Sequence, residues 1–202
     1  MKGKLIVFEG PDGVGKTTLV DKTCQYLNNN NIAYKIFSFP GKTEGTLGAH
    51  VYYLHHNWNN MGISSIDPAS LQTLHIAAHI DAIENRIIPC LQSGCNVILD
   101  RFWWSTWVYG LVSGVKEKSV KAMVNLELIH WGKYLPDALF LIRNTSPIRE
   151  DVVDKSWHNL MLGYDCLAND ESIKYPVHSI DTNCSVDDTF QQIREVIQEL
   201  SQ

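Results

Sequence analysis

A chain of 202 residues, 45% hydrophobic and 19% charged, is long enough to bury one sizeable core and reads as a single domain over 1–202. The net charge of -5 and pI near 5.9 argue against a nucleic acid polymer as partner, because a long polyanion needs many Lys and Arg contacts. A small anionic substrate needs only a few local cations and stays open.

Five scattered cysteines without C-x-x-C spacing read as reduced thiols, not as a disulfide or zinc framework. The leading apolar run is too short for a signal-peptide core, and no stretch approaches the ~18 apolar residues of a membrane span. These features point to a cytoplasmic protein without membrane association. Eight histidines are present, but no pair has Cys or carboxylate company at metal-ligand spacing.

Leu5-Ile6-Val7-Phe8 predicts a buried strand, followed by a glycine loop and a helix through Leu19, Val20 and Leu27. The Asn run at 28–31 ends that helix, since Asn is a poor helix former and tolerates turns. Tyr34 to Phe39 predicts a second strand, stopped by Pro40-Gly41. Asp67-Pro68 is an N-cap and first-turn pair opening a long helix toward Leu91, which Pro89 should kink or end. Asn96 to Asp100, Ala138 to Ile142 and Val177 to Ile180 predict three more strands. Ser185-Val186-Asp187-Asp188 resembles a capping box for a last helix with Phe190, Ile193, Val196, Ile197 and Leu200 on its apolar face. The alternation predicts an α/β fold: a parallel five-stranded sheet with helices on both faces.

The pattern G-x-x-x-x-G-K-[ST] runs from Gly10 through Gly13, Val14, Gly15 and Lys16 to Thr17. Glycines let successive backbone N–H groups point at phosphate oxygens, and the following helix adds its positive end. Lys16 can reach the β and γ phosphates of ATP, and the Thr17 hydroxyl can ligate magnesium. The strand before and the helix after supply the context this motif requires. Asn-Lys-x-Asp, the guanine-reading motif of GTPases, is absent.

Four segments in order resemble the thymidylate kinase family of P-loop nucleoside monophosphate kinases. They are Phe8-Glu9-Gly10-Pro11-Asp12-Gly13-Val14-Gly15-Lys16-Thr17-Thr18; Phe39-Pro40-Gly41-Lys42; Leu99-Asp100-Arg101-Phe102 with Ser105 and Tyr109; and Asp181-Thr182-Asn183. The resemblance implies the P-loop NTPase-type fold, phosphoryl transfer from ATP to dTMP or a related nucleotide, a magnesium cofactor and a homodimer. It places Asp12 at the acceptor sugar, where a loop-stabilising carboxylate is the alternative reading. Asp100 would hold magnesium through water and Arg101 would clamp the acceptor phosphate; a strand-end salt bridge is the alternative for both. Lys42 and Phe39 would serve the acceptor, or be a solvated loop lysine and a core residue. Ser105 and Tyr109 fall in the acceptor segment, and Asp181 in the adenine loop. Arg149 would belong to a short lid over ATP, with Arg143 as second choice.

The resemblance frays in two places. Family members carry a base-stacking Phe and, four residues on, a base-reading Arg; Ile76 and Ile80 stand there, or His75 and His79 if the alignment slips by one. The segment Phe102 to Tyr109 is unusually aromatic, so Trp104, Trp107 or Tyr109 stacks on the base, or the aromatics pack the core or a dimer face. A kinase for a different acceptor and a P-loop protein with a regulatory role are the competing readings.

Overall fold

The computed structural model describes residues 2–148 and 156–200. Its elements in chain order are β1 (Leu5–Glu9), α1 (Lys16–Asn29), β2 (Tyr34–Ser38), α2 (Leu47–Asn57), α3 (Pro68–Ala82), α4 (Ile88–Gln92) and β3 (Asn96–Asp100). There follow α5 (Trp103–Val112), α6 (Glu117–Trp131), β4 (Ala138–Arg143), α7 (Trp157–Glu171), β5 (Val177–Asp181) and α8 (Val186–Leu200). All strand pairings are parallel, in the order β2-β3-β1-β4-β5. The chain leaves β1 toward one edge, returns to β3, then crosses to β4 on the other side. In such a sheet the crevice for ligands lies beyond the carboxyl ends of the strands where that reversal occurs. Glu9 and Asp100 sit at those ends.

Alternation along the strands sorts residues into two cores. Leu5, Val7, Val97, Leu99, Leu139 and Leu141 face α5, α6 and most of α7. Ile6, Phe8, Ile98, Phe140 and Ile142 face α1 and α8. A central strand covered on both faces is apolar throughout, and every residue of β1 is buried.

Asp67 caps α3 as expected, its carboxylate accepting from Ala69 N at 2.8 Å. Pro89, expected to kink or end the long helix, does neither abruptly. The chain widens into a π turn at Ile83–Ile87, then resumes as α4 to Gln92. Pro89 has no N–H for the carbonyl four residues earlier and its ring would crowd it, so the wider turn absorbs the mismatch. At α8 the Ser185 hydroxyl accepts from Asp188 N at 3.1 Å and donates to the Asp188 carboxylate at 2.6 Å. Thr189, Ile193 and Ile197 supply its buried face.

The aromatic run of α5 is divided between core and crevice. Trp103 and Trp104 are buried, and Trp104 Nε1 donates to the Tyr175 hydroxyl at 2.9 Å. Trp107 packs half-buried against the same core. Core packing is thus the outcome for Trp104, and Tyr109 alone of the three points to the phosphate loop. Trp104→Ala should cost about 3–5 kcal/mol of stability, by cavity formation and the orphaned Tyr175 hydroxyl; urea unfolding of both proteins measures it.

Candidate active site

The loop between β1 and α1 is held from three sides. Gly10 adopts φ 134°, a conformation open to glycine, and an added Cβ there would strike the Ile142 carbonyl of β4. Gly13 O accepts from Ile148 N at 2.7 Å, and Val14 O accepts from the Thr182 hydroxyl at 3.1 Å. Trp157 Nε1 donates to Asp12 O at 3.1 Å. Val14 is buried beneath the loop, and Gly15 in the left-handed region is the N-cap of α1. Thr17 and Thr18 expose their side chains on the first turn of that helix.

Lys16 folds back over the loop, its ammonium donating to Gly10 O and Pro11 O at 2.8 Å each. Burial depresses it to about 8, helped by the nearby Arg101 charge and opposed by Asp100, Asp12 and Glu9. Backbone dipoles and one buried ammonium make this loop suited to an anion.

Arg101 and Asp12 join the loop to the opposite wall. Arg101 follows β3 with φ 74°, a left-handed conformation that a non-glycine residue holds only when its surroundings enforce it. Its N–H donates to Phe8 O at 2.8 Å, and its guanidinium donates to Asp12 Oδ1 at 2.5 Å and to the Ser105 hydroxyl at 2.9 Å. The Tyr109 hydroxyl donates to Asp12 Oδ2 at 3.0 Å. Partial burial works against ionisation of Asp12, but Arg101, Lys16 and Tyr109 outweigh it and hold the carboxyl below its ordinary range. Burial pushes the Tyr109 hydroxyl up to about 12; Arg101 opposes this and Asp12 adds to it, so Tyr109 stays a donor. The pair expected at the acceptor is therefore assembled, with Ser105 and Tyr109 beside it.

Asp100 lies next to them with Oδ1 buried and without a hydrogen-bond partner. Phe39 N donates to the Asp100 carbonyl at 3.0 Å, which draws the loop after β2 to the end of β3. The Phe39 side chain is buried against His79. Lys42 does not join this group: its side chain is exposed, and its ammonium sits 4.5 Å over the Tyr52 ring. Asp181, at the end of β5, stands 3.7 Å from Arg143. Arg143 is also paired with Asp165 at 3.0 Å, so its guanidinium is committed to two carboxylates. Arg149 and the predicted lid lie outside the described residues.

Ile76 is buried and Ile80 half-buried, whereas His75 bonds His55 at 3.1 Å and His79 stacks on Phe39. Each pair has one buried member, Ile76 or His79, and one half-buried member, Ile80 or His75, so burial alone does not choose between them.

Three residues were missed. Thr182 ties the adenine-loop segment to both Val14 O and Arg143 O. Trp157 anchors α7 to the loop. Glu9, fully buried, accepts from Phe102 N at 2.6 Å, Ser105 N at 3.0 Å, the Ser105 hydroxyl at 2.8 Å and Gly10 N at 3.3 Å. Burial pushes its carboxyl above the ordinary range, against Arg101, Ser105, Phe102 and Lys16. A carboxylate ending an apolar strand was the available signal. Both oxygens face donors, so the amide of Glu9→Gln must turn its NH2 toward a donor. That variant should lose about 1–3 kcal/mol in chemical denaturation despite its near-identical shape.

This geometry has recognisable relatives. The thymidylate kinase family model matches residues 8–151. A thymidylate kinase of Francisella tularensis subsp. holarctica (strain OSU18) is 33% identical over 126 residues, 62% of this chain and 58% of that protein. Another from Thermoanaerobacter sp. (strain X514) is 35% identical over 143 residues, covering 70% and 66% respectively. These matches thus span less than two thirds of the relatives' own lengths. The crystal structure of thymidylate kinase from Ehrlichia chaffeensis superposes with a TM-score of 0.75 at 24% identity, over 98% of this chain and 99% of that one. With its family model matching residues 8–151, well over half of the sequence, the chain belongs to the thymidylate kinase family.

Proposed function

We propose that residues 1–202 form one kinase domain that transfers the γ-phosphoryl group of ATP to dTMP. The observation that carries this reading is the 2.5 Å contact between Asp12, on the donor loop, and Arg101, on the acceptor side. It couples two anion-binding regions at the carboxyl ends of adjacent strands. An acceptor phosphate oxygen is already a nucleophile at neutral pH, so the residues need to align two anions and neutralise charge on the transferring group. Lys16 would leave the carbonyls of Gly10 and Pro11 for the β and γ phosphates, while loop N–H groups hold the chain of phosphates. Arg101 presents a fork suited to two oxygens of the acceptor phosphate. Asp12, kept ionised, would accept from the acceptor sugar, and Asp181 and Thr182 would flank the adenine.

Magnesium fits these residues. Asp100 Oδ1 is a buried carboxylate oxygen lacking a partner, and Thr17 opens α1 at the loop. Among the described residues no cluster of three His, Cys, Asp or Glu side chains could hold a metal. That suits an ion that keeps waters and takes its other oxygens from substrate phosphates. When bound, it would neutralise charge on those phosphates.

Two further parts of the reading concern setting. A homodimer is supported by Leu74 on α3 with Leu126 and Ile129 on α6, apolar side chains left 37%, 47% and 73% exposed. A reducing cytoplasm suits the five free cysteines, and none of the described helices is long and apolar enough to cross a membrane. Isoleucines or imidazoles in place of the family's Phe and Arg favour, as second reading, a different nucleotide acceptor.

Initial rates of ADP release with ATP, magnesium and a panel of nucleosides and monophosphates test the assignment. Turnover should be highest with dTMP and vanish in Lys16→Ala. A stronger preference for another acceptor selects the second reading, and no turnover with any acceptor overturns both. Arg101→Ala should lower kcat/KM for the acceptor by on the order of 10²–10³, while ATP affinity changes little. Because free Lys16 sits at about 8 and bound phosphates favour its charged form, ATP binding should weaken as pH rises through that value. At pH 8 binding should take up roughly half a proton, against ~0.1 at pH 7; calorimetry in buffers of different ionisation enthalpy reads the difference, and Lys16→Met should abolish it.

A further inference from the structure

Every carbonyl of the phosphate loop from Gly10 to Val14 has a donor. Lys16 takes Gly10 O and Pro11 O, Trp157 Nε1 takes Asp12 O, Ile148 N takes Gly13 O and the Thr182 hydroxyl takes Val14 O. The loop peptides are trans. In a trans peptide the carbonyl of one residue and the N–H of the next point to opposite sides. Holding the carbonyls of Asp12, Gly13 and Val14 on the outside therefore turns the N–H groups of Gly13, Val14 and Gly15 inward. Gly13 and Gly15, at φ 82° and 92°, flank a valine outside the left-handed region. That alternation gathers successive N–H groups into one concavity. No described backbone carbonyl accepts from these three groups.

Among the three outer clamps Trp157 is the side chain committed to a single carbonyl. Thr182 Oγ1 also lies 2.9 Å from Arg143 O, so its one proton is shared between two acceptors. An indole nitrogen can only donate, and that of Trp157 reaches Asp12 O at 3.1 Å. The ring is 6% exposed and packs in the same core as Val14 and Met161, which fixes where its N–H points. Its target is the loop peptide most in need of holding. Tyr109 takes the Asp12 N–H and meets its carboxylate, and Arg101 meets the other carboxylate oxygen. Those contacts hold both ends of Asp12 but leave the peptide plane between Asp12 and Gly13 free to turn. Turning it changes only Asp12 ψ and Gly13 φ, and glycine tolerates φ of either sign. The turned-over peptide would present an oxygen to the phosphates where the Gly13 N–H now lies.

We propose that Trp157 is a positioning residue for the donor phosphates, its indole N–H locking the Asp12–Gly13 peptide with the Gly13 N–H turned toward the anion. The proposal rests on the reading of the loop as the ATP site. It gives one short stretch of backbone two duties, with the Asp12 carboxylate directed to Arg101 and the next N–H directed to the donor. Without the indole proton the turned-over peptide becomes populated. Affinity for polyphosphate then falls in proportion to the fraction of molecules that keep the competent form.

Calorimetric titration of Trp157→Phe and the unmodified protein with ADP–magnesium, inorganic tripolyphosphate and dTMP tests this separately from phosphoryl transfer. The phenyl ring keeps the packing and removes the donor. ADP and tripolyphosphate should each bind about three- to tenfold more weakly to the variant, while dTMP stays within about twofold. A merely structural role would weaken all three alike or none. Nitrogen-15 relaxation dispersion should show microsecond-to-millisecond exchange at the Gly13 amide of the variant, quenched by ADP and absent from the unmodified protein. If Trp157→Phe does not fold, 3-benzothienylalanine at position 157 keeps the bicyclic shape with sulfur in place of the N–H, and the same readouts apply. Unchanged polyphosphate affinity in either folded variant would overturn the proposal, as would an equal loss for dTMP. Failure of the unmodified protein to bind ADP or tripolyphosphate would overturn it together with the kinase reading. If polyphosphate binding shows these signatures but no acceptor is phosphorylated, the kinase reading fails and the positioning role stands.

Discussion

The buried Glu9 carboxylate is the constraint on which the active-site geometry hangs. It ends the central strand where the sheet is driest, and its cost is offset by four N–H and O–H donors converging on two oxygens. Two of those donors are backbone N–H groups at the start of α5, so the carboxylate caps a helix that has no side-chain cap of its own. A third is the Ser105 hydroxyl, which also accepts from Arg101. The fourth, Gly10 N, opens the phosphate loop. One side chain thereby fixes the distance between the glycine loop and the start of α5.

Arg101 shows what that fixing achieves. Its left-handed backbone would relax in a free loop, but the bond from its N–H to Phe8 O and the capped α5 behind it leave no alternative. The guanidinium is then delivered to Asp12 from below, while Tyr109 reaches the same carboxylate from the next turn of α5. Three charges, Lys16, Arg101 and Asp12, are held close in a partly dry crevice. Burial, with Arg101 beside it, depresses the ammonium, while Arg101 and Lys16 keep the carboxyl ionised against its own partial burial. A second buried carboxylate lies in the α3–α6 core, where Glu127 serves His79 and Trp131 as Glu9 serves α5.

Local patterns were sufficient for the sheet and for the phosphate loop. Short apolar runs mark the central strands β1, β3 and β4, because a strand buried on both faces has little other composition available, whereas the edge strands β2 and β5 mix apolar and polar residues. Gly10, Gly15 and Lys16 were readable because a backbone cradle dictates residue types at set spacing. Asp100 and Arg101 were readable from the end of an apolar strand. Where Lys42 lies, over the Tyr52 ring, was not readable because nothing in a loop sequence states which way it turns. The histidines were ambiguous because neighbouring positions on a helix differ by about 100°, and the sequence does not say that His79 packs against Phe39 and Glu127.

Sequence by itself determined that this chain folds as an alternating α/β sheet around a phosphate loop, with family membership carried by four short segments. Those features are local: chain curvature, a glycine conformation and an apolar run need no partner. Tertiary structure decided which side chains share the crevice. It turned Glu9 from a motif letter into a buried cap, sent Trp104 to the core and Tyr109 to Asp12, and set His79 beside a carboxylate 48 residues away. Such pairings depend on distances across the fold, where burial and hydrogen bonding, not spacing along the chain, fix what each group can do.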